Sequence, residues 1–195
     1  MPSIDVKKRR IDSKIIYYGP GRSGKTANLR YIHDHLDNDH RGRISQLPTK
    51  SDPNLHIDVL PVRFGKIIGF RTIFHLCAGP GQAFSNKSRR LLLRDSDGIV
   101  FVADSHPRRR EANVDSLIEL EQNLENYGLH LRTVPHVIQY NKRDLPETLG
   151  IGELRGDLNR YGVPDFTASV ETGEGVMETL RAIVRSVSND LQKRL

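Results

Sequence analysis

The sequence predicts an α/β fold, a mostly parallel mixed sheet with helices on both faces. Three observations lead there. Short apolar runs alternate with helical patterns along the chain. The run Gly98-Ile99-Val100-Phe101-Val102-Ala103 is apolar throughout, as in a central parallel strand covered on both sides. A glycine-rich turn at 19–24 separates the first buried strand from the first helix. In doubly wound sheets, ligands bind at the carboxyl ends of the strands.

Taken in order, residues 1–12 read as a basic N-terminal segment, an added strand or arm, and 1–195 as a single domain. Residues 14–18 form a buried strand. Residues 25–36 carry Leu29, Ile32 and Leu36 at helical spacing. The stretch 37–54 is polar, holds two prolines and has no period, so a long loop is expected. Residues 55–60 alternate as a strand, Gly65-Lys66 reads as a hairpin turn, and 70–77 form the returning strand. That hairpin is the one antiparallel element expected. A short helix at 85–94 precedes the apolar strand. Val114, Leu117, Ile118, Leu120 and Leu124 mark a long helix that stops near Gly128. Residues 134–140 form a strand, 150–160 a helix and 165–170 a short strand. Met177, Leu180, Ile183, Val184 and Val187 mark the final helix.

Composition narrows the class. Thirty Lys and Arg against twenty-four Asp and Glu give a net charge of +6. A single cysteine, Cys77, excludes an intramolecular disulfide framework and suits a reducing, cytoplasmic setting. The longest apolar runs are too short to cross a bilayer. No secretory leader is expected after Met1-Pro2. No stable membrane anchor is expected either, since neither a myristoylation nor a prenylation pattern is present. The basic clusters 7–10 and 108–110 carry no interleaved aromatics, so the expectation is a solvated surface with some anionic partner and no nucleic acid. His33 and His35 lie two apart on a helix and face different ways, a poor chelate.

Gly19-Pro20-Gly21-Arg22-Ser23-Gly24-Lys25-Thr26 fits the phosphate-binding pattern G-x-x-x-x-G-K-[ST]. It stands between a strand and a helix, as the chemistry requires. Its glycines let backbone N–H groups close around phosphate oxygens, and the helix N-terminus adds a favourable dipole. Lys25 is expected on the β- and γ-phosphates and the Thr26 hydroxyl on Mg²⁺. Gly19, Gly21, Ser23, Gly24 and Ala27 complete the loop. Arg22 reaches the phosphates, meets a partner or points to solvent; the sequence leaves these open.

Asn141-Lys142-Arg143-Asp144 follows a strand end. The Asp144 carboxylate can accept from both N1–H and the N2 amino group of guanine, whereas adenine offers neither donor. Lys142 can lay its stem over the purine. Ser169-Val170 at the next strand end completes the base pocket with a backbone N–H. The ligand expected is therefore GTP or GDP with Mg²⁺.

These motifs, with Tyr17-Tyr18, Phe74-His75-Leu76, Pro80-Gly81-Gln82, Ser88-Arg89, residues 97–105 and 138–146, resemble the Ras-like small GTPases of the bacterial MglA type, end to end. The resemblance implies a Ras-like P-loop GTPase fold. It further implies a GTP/GDP switch controlling cell polarity or gliding and pilus motility, in the cytoplasm or recruited to a pole. A roadblock-fold regulator of the MglB type and polarity or motility effectors are the implied partners. In that family Gly81 senses the γ-phosphate and Gln82 orients the attacking water.

The sequence departs from the family at three positions. Ala78 stands where most Ras-like proteins have an Asp that supports Mg²⁺ and the MglA type has Thr. Pro53-Asn54 stands where a gap-free count places the family's Arg-Thr, its arginine finger and metal ligand. Asn54 then offers only a neutral oxygen to Mg²⁺; the alternative ligand is Thr49, reached by refolding of the loop or by a shifted alignment. Asp52, Asp58 and Thr49 still match. The residues thus predict a switch with slow, partner-dependent hydrolysis, with a non-catalytic GTP-binding scaffold as the second reading and a P-loop kinase as a weaker third.

Overall fold

The structure is a computed structural model that describes residues 2–48, 56–79 and 86–194, and the side chains of all of these except 86–89. Strand β1 (Ser3–Asp5) turns into β2 (Arg10–Tyr18), which leads into helix α1 (Lys25–His35). Strands β3 (Ser45–Pro48), β4 (His56–Ile67) and β5 (Phe70–Ala78) follow. Helix α2 (Asn86–Leu93) precedes β6 (Gly98–Asp104), and a 3₁₀ turn (Pro107–Arg109) opens α3 (Arg110–Glu125). The chain ends with β7 (His136–Asn141), α4 (Ile151–Leu158), β8 (Asp165–Thr167) and α5 (Val176–Arg194).

The strands form one sheet in the order β3-β4-β5-β2-β6-β7-β8, with β1 beside β2. From β5 through β8 every pairing is parallel. Helices α1 and α5 cover one face through Leu29, Ile32, Leu180, Ile183 and Val187. Leu92 and Leu93 of α2, Leu117, Leu120 and Leu124 of α3 and Leu154 and Leu158 of α4 cover the other. Every residue of β6 and β7 is buried, which explains why their sequences show no alternation. This is the mixed α/β architecture the sequence predicts.

Four readings change. The stretch expected as a loop over 37–54 contains β3, antiparallel to β4. All four of its residues are exposed, so no hydrophobic period marks it; its backbone pairing with β4 makes it a strand. The hairpin turn is Ile68-Gly69, not Gly65-Lys66. Ile67 opposes Phe70, and Gly65 lies instead in a register shift between Arg63 and Lys66. Among the described residues antiparallel strand pairing occurs in β1–β2, β3–β4 and β4–β5, with a further isolated antiparallel bridge between Arg41 and Val62, rather than once. Ile118 of α3, expected on the buried face, is 37% exposed.

Element ends also move. β2 begins at Arg10 rather than 14, because β5 continues to pair with it down to Arg71. β8 stops at Thr167, where the chain leaves β7 to build the loop around Ser169. Cys77 is buried in the sheet, and burial pushes its thiol up to about 11, so it is protonated at neutral pH.

Candidate functional site

β2 lies between β5 and β6, and the turn that leaves its carboxyl end is residues 19–24. Gly24 caps α1 at φ 100°, and Gly19 sits at φ 143°. A Cβ on Gly19 would collide with the Val102 carbonyl, and one on Gly24 with the Asn141 amide. Only glycine fits either place. Ser23 Oγ is buried in this ring with no hydrogen-bond partner among the described residues. Lys25 Nζ donates to the carbonyls of Gly19 and Pro20 at 2.9 and 2.7 Å, so its ammonium lies across the loop it serves. Thr26 and Ala27 follow in the first turn of α1, half-buried. The loop encloses the Lys25 ammonium at the N-terminus of α1, which suits a polyphosphate. Arg22 is exposed at φ 65°.

A buried polar chain holds this cradle from behind. Asn28 Nδ2 donates to the Gly24 carbonyl at 3.0 Å. Gln139 Nε2 donates to Asn28 Oδ1 and Thr179 Oγ1 at 3.0 and 3.2 Å. Helix α1, strand β7 and helix α5 are thereby tied together under the phosphate loop. Among buried groups such chains are stable only when nearly every member is paired.

Asn141, the last residue of β7, links the two expected motifs. Its Nδ2 donates to the Ser23 carbonyl at 2.8 Å. The Arg143 N–H donates to the Ala168 carbonyl at 3.0 Å, drawing the Asp144 and Ser169 loops together. Ser169 Oγ donates to Asp144 Oδ1 at 2.5 Å. Asp144 is exposed beside it, and Val170 is half-buried. An exposed carboxylate steered by a neighbouring hydroxyl is arranged to meet a two-donor edge. All residues expected to hold phosphate or base, other than Gly81, converge on this one end of the sheet.

Two carboxylates of this region were not assigned a role from the sequence. Asp104, at the end of β6, is only 2% exposed. Its Oδ2 receives Lys142 Nζ at 2.7 Å and lies 3.8 Å from Arg109 Nε. Arg109 also donates from Nη2 to the Gly21 carbonyl at 2.8 Å. Asn113 of α3 fixes the Asp104 backbone with a reciprocal pair of bonds at 2.9 and 2.8 Å. The Lys142 ammonium is thus seated on Asp104.

The second is Asp58. Its Oδ2 accepts from the Thr26 hydroxyl at 2.8 Å, and its Oδ1 accepts from Gln46 Nε2 at 3.0 Å. Asp58 of β4 opposes Ala78 of β5 in the sheet register. Ala78 is fully buried and brings no side-chain oxygen to the site. The Thr26 hydroxyl and the Asp58 carboxylate form an oxygen pair of the kind Mg²⁺ takes, so the residues present fit that ion. Thr49, Pro53, Asn54, Gly81 and Gln82 lie outside the described residues. The resemblance matches Asp58 and spans Asp104 but assigns neither a role, since each works through a partner distant in sequence.

A phosphate cradle at the central strand, joined through Asn141 to a carboxylate loop, is the arrangement of the Ras-like P-loop GTPases. Within that class the chain is 46% identical over 193 residues to the Mutual gliding-motility protein MglA of Myxococcus xanthus (strain DK1622), an alignment covering 99% of each protein. The chain belongs to the MglA family of small GTPases. It is also 26% identical over 105 residues to GTPase Obg of Caldicellulosiruptor bescii and 25% identical over 105 to that of Caldicellulosiruptor saccharolyticus. Each of these matches spans 53% of this chain and 23% of the Obg protein. No protein-family model matches the chain.

Proposed function

We propose that the chain is a single-domain GTP/GDP-binding switch that acts in bacterial polarity or motility, with slow, partner-dependent hydrolysis. The observation that carries the nucleotide reading is the bond from Asn141 to the phosphate loop at Ser23. It holds the phosphate loop and the Asp144 loop at one end of the sheet, which supports one ligand reaching both. The motility reading rests on the relative named for mutual gliding motility.

In this reading backbone N–H groups of the 19–24 loop other than Pro20, which has none, and the Lys25 ammonium bind the phosphates. Asp144 accepts from the guanine edge, the Val170 N–H meets the guanine carbonyl, and Lys142 lies along the base with its charge on Asp104. Thr26 and Asp58 would hold Mg²⁺, with Thr49 or Asn54 as a further ligand; the ion, when bound, neutralises charge developing on the phosphates. Gly81 senses the γ-phosphate and Gln82 positions water. An arginine finger is worth about 10³ to 10⁵ in rate, and Pro53 stands where the family's Arg is expected, so a roadblock-fold regulator of the MglB type has to supply the charge. Ala78, which offers no metal-supporting oxygen, favours the second reading, a GTP-binding scaffold that recruits effectors without turnover.

Identification of the nucleotide carried through purification, followed by single-turnover GTP hydrolysis, tests this. The wild type is expected at or below about 10⁻⁴ s⁻¹, and Pro53→Arg with Asn54→Thr is expected to raise the rate, most with the regulator present. GTP retained for days under all conditions establishes the scaffold. Unaided turnover near 10⁻² s⁻¹ contradicts the slow-switch reading.

A further inference from the structure

At the end of the sheet opposite the nucleotide loops, two turns lie side by side. One, residues 6–9, joins β1 to β2; the other, Ile68-Gly69, joins β4 to β5. Arg10 opposes Arg71 in the parallel register, and the Arg71 N–H donates to the Arg9 carbonyl at 2.9 Å. β2 runs from this end up to the phosphate loop, a distance of about 26 Å at the usual rise per residue.

Each turn presents an aliphatic side chain to solvent. Val6 is 71% exposed and Ile68 57%. Around them stand six cations. Lys7, Lys8, Arg9, Lys66 and Arg71 are exposed, and Arg10 is half-buried. Two carboxylates lie among them. Asp5 pairs with Lys8 at 3.8 Å, and Asp12 accepts from Arg10 Nε at 2.7 Å. A strong positive excess remains.

Ile68 carries a second anomaly. Its φ is 49°, in the left-handed region that β-branched residues avoid. Glycine or asparagine relieves that strain in a two-residue turn. Among the described residues Ile68 belongs to neither hydrophobic core cluster, so an exposed isoleucine in this turn points to a contact outside the fold.

We propose that these paired turns are a docking surface for an anionic lipid membrane. Val6 and Ile68 enter the headgroup layer while the surrounding Lys and Arg side chains reach lipid phosphates and carboxylates. The contact is reversible and electrostatic, distinct from an anchor. It holds the chain with its nucleotide loops facing away from the bilayer, open to partners. A nucleic acid fits the tips less well. They carry no aromatic side chain for base stacking, and aliphatic apexes gain nothing from a phosphate backbone. The proposal stands whether or not the nucleotide reading does.

Sedimentation of the purified full chain with vesicles tests it. Phosphatidylserine-containing vesicles should bind at least tenfold more protein than pure phosphatidylcholine ones, and half-molar salt should release it. The triple variant Lys7→Glu, Lys8→Glu, Arg9→Glu should lose binding. Val6→Ser with Ile68→Gly should bind at least threefold less, while melting at or above the wild type because the strain at Ile68 is relieved. Equal binding to neutral vesicles, no binding to either, or an unchanged affinity in the Val6/Ile68 variant overturns the proposal. So does duplex DNA or RNA that displaces the chain from vesicles and binds the Val6/Ile68 variant as well as the wild type, which assigns the surface to nucleic acid.

Discussion

Arg109 donates to the Gly21 carbonyl at 2.8 Å across 88 positions of chain, and the same guanidinium approaches Asp104, on which Lys142 is seated. The phosphate loop and the base loop thus share one buried anion. Arg109→Ala breaks the link on the phosphate side. A charged hydrogen bond contributes roughly 1.5–3 kcal/mol, so dissociation of a fluorescent GDP analogue is expected to accelerate about tenfold or more. Arg109→Lys restores part of the effect, since it keeps the charge but lacks the fork. Unchanged dissociation in Arg109→Ala would show the link to be inert.

Asp144 Oδ1 accepts from Ser169 Oγ, and the carboxylate is exposed. Asp144→Asn replaces an acceptor with a donor. GTP affinity is expected to fall roughly 10²-fold, from the loss of two charge-assisted hydrogen bonds, while affinity for xanthosine triphosphate rises. Competition binding with the two nucleotides measures both. Ser169→Ala, which only loosens the carboxylate, is expected to cost about threefold to tenfold in GTP affinity.

Asp58 meets the Thr26 hydroxyl from the strand opposite Ala78. If this carboxylate supports the metal, Asp58→Ala shrinks the difference between GDP dissociation in Mg²⁺ and in EDTA by at least fivefold, an effect of about 1 kcal/mol. A ratio equal to the wild type's removes Asp58 from the metal site. Its β4 position is half-buried, so the fold is expected to persist, and a melting curve checks that.

His136 opens β7, buried against the edge of Tyr161, with Nδ1 bonded to the Val134 carbonyl. Desolvation holds its pKa below the ordinary value of 6.5, against the opposing pull of that carbonyl and of Glu121. The folded chain therefore binds a proton less readily than the unfolded one. The stability this gives is present above pH 6.5 and is lost as pH falls toward the lowered folded value. Thermal melts between pH 7.5 and about 5 should show a steeper acid decline in the wild type than in His136→Phe, which keeps the ring but cannot titrate. Parallel declines would exclude His136 as a source of acid sensitivity.

The element sequence and the two nucleotide motifs were legible because each is written in a contiguous stretch. A buried parallel strand must be apolar along its whole length, and 98–103 is. A phosphate loop needs glycines at fixed spacing, and residues 19–26 carry them. The edge strand β3 was missed for the converse reason. All its side chains face solvent, so only backbone pairing with β4 defines it, and backbone pairing leaves no mark in side-chain polarity.

The sequence by itself determined the fold class and the place of the 19–26 and 141–144 motifs at strand ends, since local pattern and chain order carry that information. Tertiary structure alone decided which distant groups complete the site. Asp58 reaches Thr26 because β4 pairs with β5 in one register, and a slip of one residue would turn the carboxylate to the opposite face. Arg109 reaches Gly21, and Gln139 reaches Asn28, because β6 and β7 carry them beside the cradle. Sheet register and helix packing set those distances, and both are properties of the whole chain folded together.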